Sequence, residues 1–332
     1  MSGKLSWLSC GVCIAAVCVS LATVALADTF GSGANQFDIN FATIPGDAGD
    51  LGSWPAGDFR MTASEPYPQY TFTGVNRDDY RIGLCEITND QWNKFKAELG
   101  LPVTGTPSDA YDAAPHWPGA NVPMTMVSWY EAAQFVNWLN TSTDHQAAYR
   151  FTGIQGQSDY ALTTWSPAEA DNGTNLYRHK DAFYFLPTEP EWIKAGYWNG
   201  TSLQTWATPD DTPPIEGVEA NYQSGAQPWG VASGSEELNG TFDMMGNVWE
   251  WMESPYSDTS YGAGANRGLR GGSYDFYGDS VDALASSNRY IATPVGEVNI
   301  GGFRVASDVP EPASLVLLSM GGLAMISRRR RS

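Results

Sequence analysis

The stretch Asp243-Met-Met-Gly-Asn-Val-Trp-Glu-Trp251 decides the fold, and the blocks Arg270-Gly-Gly-Ser273 and Gly301-Gly-Phe-Arg-Val305 follow it in the chain. Beyond Gly200 the sequence is rich in Gly, Pro, Asn and Asp, with scattered tryptophans. Glycine and proline interrupt regular elements, and large indole rings can fill a core between loops. The C-terminal part is therefore predicted to contain irregular strands and turns.

Three capping boxes upstream predict three helices. They are Thr88-Asn-Asp-Gln91, Ser128-Trp-Tyr-Glu131 and Thr188-Glu-Pro-Glu191, in which a hydroxyl caps a backbone N–H and the Gln or Glu reaches back. Apolar residues follow each box at helical spacing, so one face of each helix should be buried. The third helix is expected to end at Asn199-Gly200. With a strand expected over 80–87, helices early and strands late predict an α+β fold.

Composition limits the partners and the chemistry. The chain has 37 acidic and 18 basic residues, a formal net charge of -19, which argues against nucleic acid or anionic lipid as a partner. The same charge favours solubility and attracts cations such as calcium. Three of the four cysteines, Cys10, Cys13 and Cys18, lie in the first 27 residues. Cys85 alone remains beyond them, so no internal disulfide or thiolate cluster is expected there.

The N-terminal segment predicts export. Residues 1–27 have a basic start, an apolar stretch and a small-x-small cleavage site before Asp28, which is the pattern of a cleaved signal peptide. An N-terminal membrane anchor is the alternative. Residues 28–75 lack a helical period and are predicted to form loops and a few strands that lead into a domain at 76–308. One domain is expected, because no clear linker divides the chain.

The C-terminal segment, 309–332, resembles the PEP-CTERM sorting signal of Gram-negative bacteria. Val309-Pro-Glu-Pro312 precedes an apolar run and four arginines that would stay on the cytoplasmic side. The resemblance implies an exosortase as processing partner and a transient place for 313–327 in the inner membrane. It also implies a final location at the cell surface or in the extracellular matrix. A plain C-terminal anchor is the alternative.

Seven blocks together resemble the formylglycine-generating enzyme family, also called the sulfatase-modifying-factor family. The resemblance implies a C-type-lectin-like α+β fold, low in regular secondary structure, held by tryptophans and calcium. Trp129, Trp192 and Trp251 are expected in the core, and Arg304 is expected to pair with an acidic residue. The blocks are Tyr80-Arg-Ile-Gly-Leu-Cys-Glu-Ile-Thr-Asn89, Val127-Ser-Trp-Tyr-Glu-Ala-Ala133, Leu186-Pro-Thr-Glu-Pro-Glu-Trp192, Ala220-Asn-Tyr222, Gly246-Asn-Val-Trp-Glu-Trp251, Arg270-Gly-Gly-Ser273 and Gly302-Phe-Arg304.

Calcium is the first ligand that the resemblance implies. The family pattern maps its calcium ligands to Asp243, Gly246, Val248 and Glu250, and oxygen ligands of this kind suit a hard cation. An ion-free turn closed by hydrogen bonds is the alternative. A second family site begins at the positions of Asn221 and Tyr222, but its acidic half is not recognisable in 224–240.

Catalysis is the second property at issue. Active members of the family hold copper(I) on two cysteines after the Gly-Gly-Ser block, and this chain has Phe276 and Val281 at those positions. Neither side chain can bind copper, whereas Trp249 and Ser273 match family positions near the missing cysteines. His116, His145 and His179 are scattered without the spacing of a zinc or iron site, and His116 is expected on the surface.

The sequence thus favours a non-catalytic module that binds a polysaccharide or an extracellular protein. The stretch 274–299, rich in Tyr, Asp, Ser and Asn, is the expected contact surface. The alternative is a formylglycine-generating oxidoreductase that acts on exported sulfatases. A third hypothesis is an enzyme with a new site in the same pocket.

Overall fold

The computed structural model describes residues 26–46, 52–53, 71–72, 79–99, 113–155, 157–223, 227–257, 261–275 and 281–310. Residues 1–25 of the predicted signal, Phe276 and the predicted membrane segment 313–327 lie outside these ranges. No helix among the described residues is both long enough and apolar enough to cross a bilayer.

Within these ranges the chain forms fifteen short strands, three α-helices and two 3-10 helices. The α-helices are α1 (Asn89–Leu99), α2 (Trp129–Ser142) and α3 (Glu189–Tyr197), and the 3-10 helices are Gly33–Asn35 and Val281–Leu284. The strands are β1 (Leu26–Phe30), β2 (Phe37–Ile44), β3 (Gly52–Ser53), β4 (Thr71–Phe72), β5 (Tyr80–Gly83), β6 (Arg150–Thr152), β7 (Ala161–Thr163), β8 (Ala170–Asp171), β9 (Asn175–His179), β10 (Tyr184–Phe185), β11 (Trp249–Pro255), β12 (Arg267–Arg270), β13 (Tyr290–Ala292), β14 (Gly301–Gly302) and β15 (Ala306–Asp308).

A five-stranded antiparallel sheet, in the order β1-β2-β5-β15-β10, joins the two ends of the described chain. Strand β2 has the alternation of a half-buried strand: Phe37, Ile39 and Phe41 are buried, and Asp38 and Asn40 are exposed. The predicted lead-in over 28–75 therefore contains most of β1 and all of β2, which pair with each other, and β2 also pairs with β5 of the domain that follows.

Helices α1 and α2 pack on one side of this sheet, because their aromatic side chains meet those of β2 in one core cluster. Phe37 stacks on Phe135 of α2 with ring centroids 6.3 Å apart, and Trp92 of α1 stacks on Phe135 at 5.7 Å. Alternate sheet residues, among them Ile44 and Ile82, enter a second cluster with α3. The sheet is therefore buried on both faces between helices.

The three predicted capping boxes are confirmed. At α2 the Ser128 hydroxyl accepts from the Glu131 N–H while Glu131 accepts from the Ser128 N–H, and Thr188 and Glu191 exchange the same two bonds at α3. At α1 the Thr88 N–H donates to Gln91 at 2.8 Å, and the Gln91 N–H donates to the Thr88 hydroxyl at 3.3 Å. Each box satisfies two backbone groups that a helix start leaves open.

A second sheet, in the order β13-β12-β11-β14, carries the stretch that decided the fold. Strand β11 pairs antiparallel with β12 and parallel with β14, so all three C-terminal sequence blocks meet in this sheet. Trp129, Trp192 and Trp251 are buried as expected, and each indole N–H donates to an acceptor: Met252 O, Glu250 Oε2 and Val127 O. The indole rings therefore cross-link the helices to this sheet.

Two predicted boundaries differ from the observed ones. The strand expected over 80–87 ends at Gly83, because the chain turns away after Leu84, whose N–H donates to Asn40 O at 2.8 Å. Helix α3 ends at Tyr197, before Asn199-Gly200. The Asn199 side chain accepts from the N–H groups of Thr201 and Ser202, and this local turn competes with further helix.

Candidate functional site

The turn before β11 is closed by backbone hydrogen bonds from two other family blocks. Gly246 N–H donates to Gly271 O at 2.7 Å, and Asn247 N–H donates to Asn221 O at 2.7 Å. Gly246 has φ +87, and a Cβ there would lie 2.4 Å from Asn221 O, so only glycine fits. The turn thus brings three distant segments of the sequence together.

Glu250 is bound by protein donors at both of its carboxylate oxygens. Arg304 Nη2 lies 2.5 Å from Oε1, Arg304 Nε lies 2.6 Å from Oε2, and Trp192 Nε1 lies 2.7 Å from Oε2. Both charged side chains are completely buried. Burial alone would lower the pKa of Arg304, but the negative charge of Glu250 raises this pKa above its ordinary value. The predicted acidic partner of Arg304 is therefore Glu250.

Asp243 lies in a buried group of acidic side chains beside this ion pair. Its Oδ2 accepts from Ala232 N–H at 2.8 Å and its Oδ1 from Trp229 Nε1 at 3.3 Å. Burial raises the pKa of Asp243, and burial together with the Asp243 charge raises the pKa of Glu86 well above its usual range. Burial also raises the pKa of Glu237 to about 8. These carboxyl groups therefore hold protons more tightly than exposed ones.

The predicted calcium ligands fit a cation poorly. A cation bound to the Glu250 carboxylate would lie against the Arg304 guanidinium, whose like charge opposes it. Asp243 is committed to two protein donors, and the backbone bonds of Gly246 and Asn247 close the turn. This geometry favours the ion-free alternative for the turn, and calcium at Asp243, Gly246, Val248 and Glu250 stays a prediction.

The second calcium position is also engaged by the protein itself. Asn221 O accepts from Asn247 N–H, and Asn221 Nδ2 donates to Asn247 Oδ1 at 3.2 Å. The Tyr222 hydroxyl donates to Pro214 O at 2.7 Å. In the described part of the chain, no three His, Cys, Asp or Glu side chains group as a metal site.

Among the described positions that match the family's catalytic pocket, Ser273 and Trp249 are buried and Val281 is half-buried. Ser273 is completely buried, its hydroxyl has no hydrogen-bond partner, and Trp249 is 2% exposed with its ring 5.5 Å from that of Tyr290. Val281 begins a 3-10 helix and packs, half-buried, against the second core cluster. The other predicted position, Phe276, lies outside the described residues.

Comparison with known proteins decides the family. Residues 47–309 match the model of the sulfatase-modifying factor enzyme 1-like domain. The chain belongs to this family. The α+β fold of the formylglycine-generating enzyme type, expected from the seven blocks, is thereby confirmed. Residues 308–331 match the PEP-CTERM protein-sorting motif, which confirms the second resemblance and implies export and membrane-anchored sorting in a Gram-negative bacterium.

Curated relatives of this sulfatase-modifying-factor chain have more than one activity in their names. A hercynine oxygenase from Mycolicibacterium thermoresistibile is 28% identical over 254 residues, which are 69% of this chain and 51% of that protein. A formylglycine-generating enzyme from Mycobacterium tuberculosis is 26% identical over 232 residues, 62% of this chain and 74% of the enzyme. The chain thus spans about half the length of the first relative.

Solved structures agree on the fold. Treponema denticola variable protein 1 superposes with a TM-score of 0.58 at 21% identity, over 86% of this chain and all of that one. At this identity the likeness shows the fold alone.

Two surface clefts adjoin the start of α1, and the sequence did not point to them. One, of about 650 Å³, lies between β2, the turn 84–88 and α1; the other, of about 450 Å³, lies between α1 and the loop 115–120. Asp90 and Ala120 line both. His116, in the smaller cleft, is exposed as predicted. One sequence feature could have indicated these clefts: the family block that ends in Glu86-Ile-Thr-Asn89 places two polar residues just after a buried strand.

Proposed function

We propose that this family member is a non-catalytic domain that binds a polysaccharide or an extracellular protein after export. The observation that carries the proposal is the replacement of both copper-binding cysteines by Phe276 and Val281. Thiolates are the ligands that suit copper(I), and neither replacement has a donor atom.

The surroundings of these positions support a structural role for them. The described position, Val281, contributes its side chain to core packing. Ser273 and Trp249 are buried, so a substrate would not reach either of them without movement of the chain. Residues at the former catalytic position therefore stabilise the fold in this proposal.

The remaining thiol does not supply a substitute nucleophile. Cys85 is free and half-buried, and burial, with the nearby charges of Glu86 and Asp243, raises its pKa far above the ordinary value for a thiol. A thiol in this environment stays protonated, and the protonated form neither binds copper well nor attacks a disulfide.

Export gives the proposal its location. In line with the sorting motif, we propose that residues 1–27 are removed as a signal peptide and that an exosortase processes the segment 309–332. Before processing, 313–327 would lie in the inner membrane. The mature domain would then act at the cell surface or in the extracellular matrix, where a binding domain meets polysaccharides.

The second candidate function is an oxidoreductase. Its support comes from the names of the relatives, a hercynine oxygenase and a formylglycine-generating enzyme. In this alternative the exported chain would form formylglycine in exported sulfatases, or oxidise another substrate at a new site.

One assay separates the two functions. The purified chain is incubated with copper, oxygen and a peptide containing Cys-x-Pro-x-Arg, and aldehyde formation is followed by mass spectrometry. We expect no turnover, with an active formylglycine-generating enzyme as positive control. Turnover that persists in Cys85→Ser would establish a new catalytic site, and turnover lost in Cys85→Ser would assign catalysis to that thiol; either result refutes the proposal.

A further inference from the structure

The two clefts at the start of α1 are each lined by a residue with one buried side-chain oxygen that has no partner among the described residues. These atoms belong to Glu86 and Asn89, three residues apart in one family block. Three residues span at most about 10 Å, so the two atoms can face one bound molecule. The adjoining clefts therefore form one groove, which we call the α1 groove, lined around Glu86, Asn89 and the shared Asp90.

Glu86 supplies the first of these atoms. Its side chain is 2% exposed, and its Oε1 accepts from Asn247 Nδ2 at 3.0 Å. Its Oε2 has no hydrogen bond, and the residue lines the larger cleft. A buried carboxyl oxygen without a partner is unfavourable, because it has lost its water without gaining another hydrogen bond.

Asn89 supplies the second atom. Its Nδ2 donates to Trp117 O and to Gly119 O, both at 2.9 Å, and these two acceptors fix which end of the amide carries the oxygen. The amide oxygen, Oδ1, is buried without a partner, and the residue lines the smaller cleft. The same unsatisfied arrangement thus occurs twice in one groove.

The remaining walls of the α1 groove combine apolar residues with exposed amide side chains. Asn93 and Asn121 are exposed, and each lines one of the two clefts. Trp117, half-buried, adds an aromatic side chain to the smaller cleft. Amide groups that exchange hydrogen bonds with hydroxyls, beside an aromatic surface, match the alternating polar and apolar surfaces of a sugar ring.

Charge selects among carbohydrates. Asp38 lines the larger cleft, where Lys94 is paired with Asp90 at 2.8 Å, and the whole chain carries a net charge of -19. This field opposes uronic acids and sulfated sugars. A neutral glycan has no such penalty, and its hydroxyls, which both donate and accept, can hydrogen-bond to the Asn89 amide oxygen and to the Glu86 carboxyl.

We propose that the α1 groove is the subsite of this domain for a neutral carbohydrate, whose hydroxyls hydrogen-bond to the exposed amides of the groove and, once these side chains turn toward the ligand, to Glu86 Oε2 and Asn89 Oδ1. This inference rests on the proposed binding function and gives it a place and a ligand class. The contact surface then lies around α1, beside the ends of the stretch 274–299 that the sequence suggested, because Trp117 packs against Tyr274 with ring centroids 5.6 Å apart and donates to Asn299 O at 3.0 Å.

The test measures binding of four hexasaccharides by titration calorimetry to the folded, exported form of the chain. Cellohexaose, laminarihexaose and mannohexaose are the neutral probes, and hexagalacturonate is the acidic one. The variants Asn93→Ala and Asn121→Ala change exposed groove residues, and Glu86→Gln changes the buried one. Gln146→Ala, an exposed residue outside the groove, is the control.

We expect at least one neutral hexasaccharide to bind, with hexagalacturonate at least tenfold weaker. Asn93→Ala and Asn121→Ala should each weaken binding several-fold without changing the melting temperature, and Glu86→Gln should weaken it at least tenfold. Binding unchanged in all three variants, or no binding of any neutral probe, overturns the α1 groove but leaves non-catalytic binding elsewhere intact. Only the aldehyde assay bears on catalysis, so the two failures are distinguishable.

Discussion

Arg304 Nη2 lies 2.5 Å from Glu250 Oε1, and neither side chain is exposed to solvent. The arginine also donates to Gly83 O at 3.1 Å and to Leu84 O at 3.2 Å, where β5 ends. This one side chain therefore ties the last family block to the first and to β11.

Glu250→Ala should destabilise the domain strongly, because it leaves the Arg304 charge buried without a counter-ion. We expect a loss of about 3–5 kcal/mol in the free energy of unfolding, measured by urea denaturation. Lys94→Ala, which breaks the exposed pair with Asp90, should cost only about 0.5 kcal/mol. Equal losses in the two variants would contradict the structural role of the buried pair.

Removal of calcium should leave stability unchanged, because Arg304 occupies the carboxylate of the expected ligand Glu250. A ligand at 100 times its Kd would stabilise the fold by about 2.7 kcal/mol, so bound calcium would be readily detected. The measurement compares melting temperatures in millimolar calcium chloride and in EDTA. A rise of several degrees in calcium would support the family's metal site here after all.

Thr188→Ala should remove the side-chain half of the capping box at α3. The expected loss is about 1 kcal/mol in the free energy of unfolding, since the Glu191 N–H loses its acceptor. Thr141→Ala is the matched control, because its exposed hydroxyl bonds only backbone carbonyls of its own helix. A loss at Thr141 as large as that at Thr188 would argue against the cap.

Glu131 should make stability depend on pH near neutrality. Burial raises the pKa of Glu131 to about 8 in the folded state, from an ordinary value of 4.5 in the unfolded chain. Between these values the folded state binds the extra proton. The contribution of Glu131 is therefore complete below about pH 4.5 and is lost as the pH rises to about 8, with a slope of at most about 1.4 kcal/mol per pH unit.

Glu131→Gln tests this linkage while keeping a residue that capping boxes accept. Urea denaturation between pH 5 and pH 8 should give a shallower decline for the variant than for the wild type. Parallel curves would mean that Glu131 is ionised in the folded protein.

The sequence predicted those features that depend on neighbouring residues. The three helix starts are set by pairs of residues three positions apart. The burial of Trp129, Trp192 and Trp251 follows from the large indole ring and from the family sequence blocks that contain them. The strand at 80–87 was predicted too long because only tertiary contacts reveal that the chain leaves the sheet after Gly83. Local patterns therefore located the elements better than their ends.

The α1 groove depends on contacts between segments that are distant in the sequence, so it could not be predicted from the sequence. Asn89 is held by the loop at Trp117 and Gly119, and Glu86 is held by Asn247, 161 positions along the chain. The sequence alone does not indicate that Glu86 and Asn89 are each left with one side-chain oxygen without a hydrogen bond.

The position of β15 determines how the domain would carry mechanical load. Its last residue, Asp308, is the first residue of the sorting motif, yet β15 is an inner strand, paired with β5 on one side and β10 on the other. A force applied through an anchored tail would pull along the strand and shear both rows of hydrogen bonds together. Such a strand resists extraction better than one peeled from an edge, so tethering at this end would leave the folded body intact under flow.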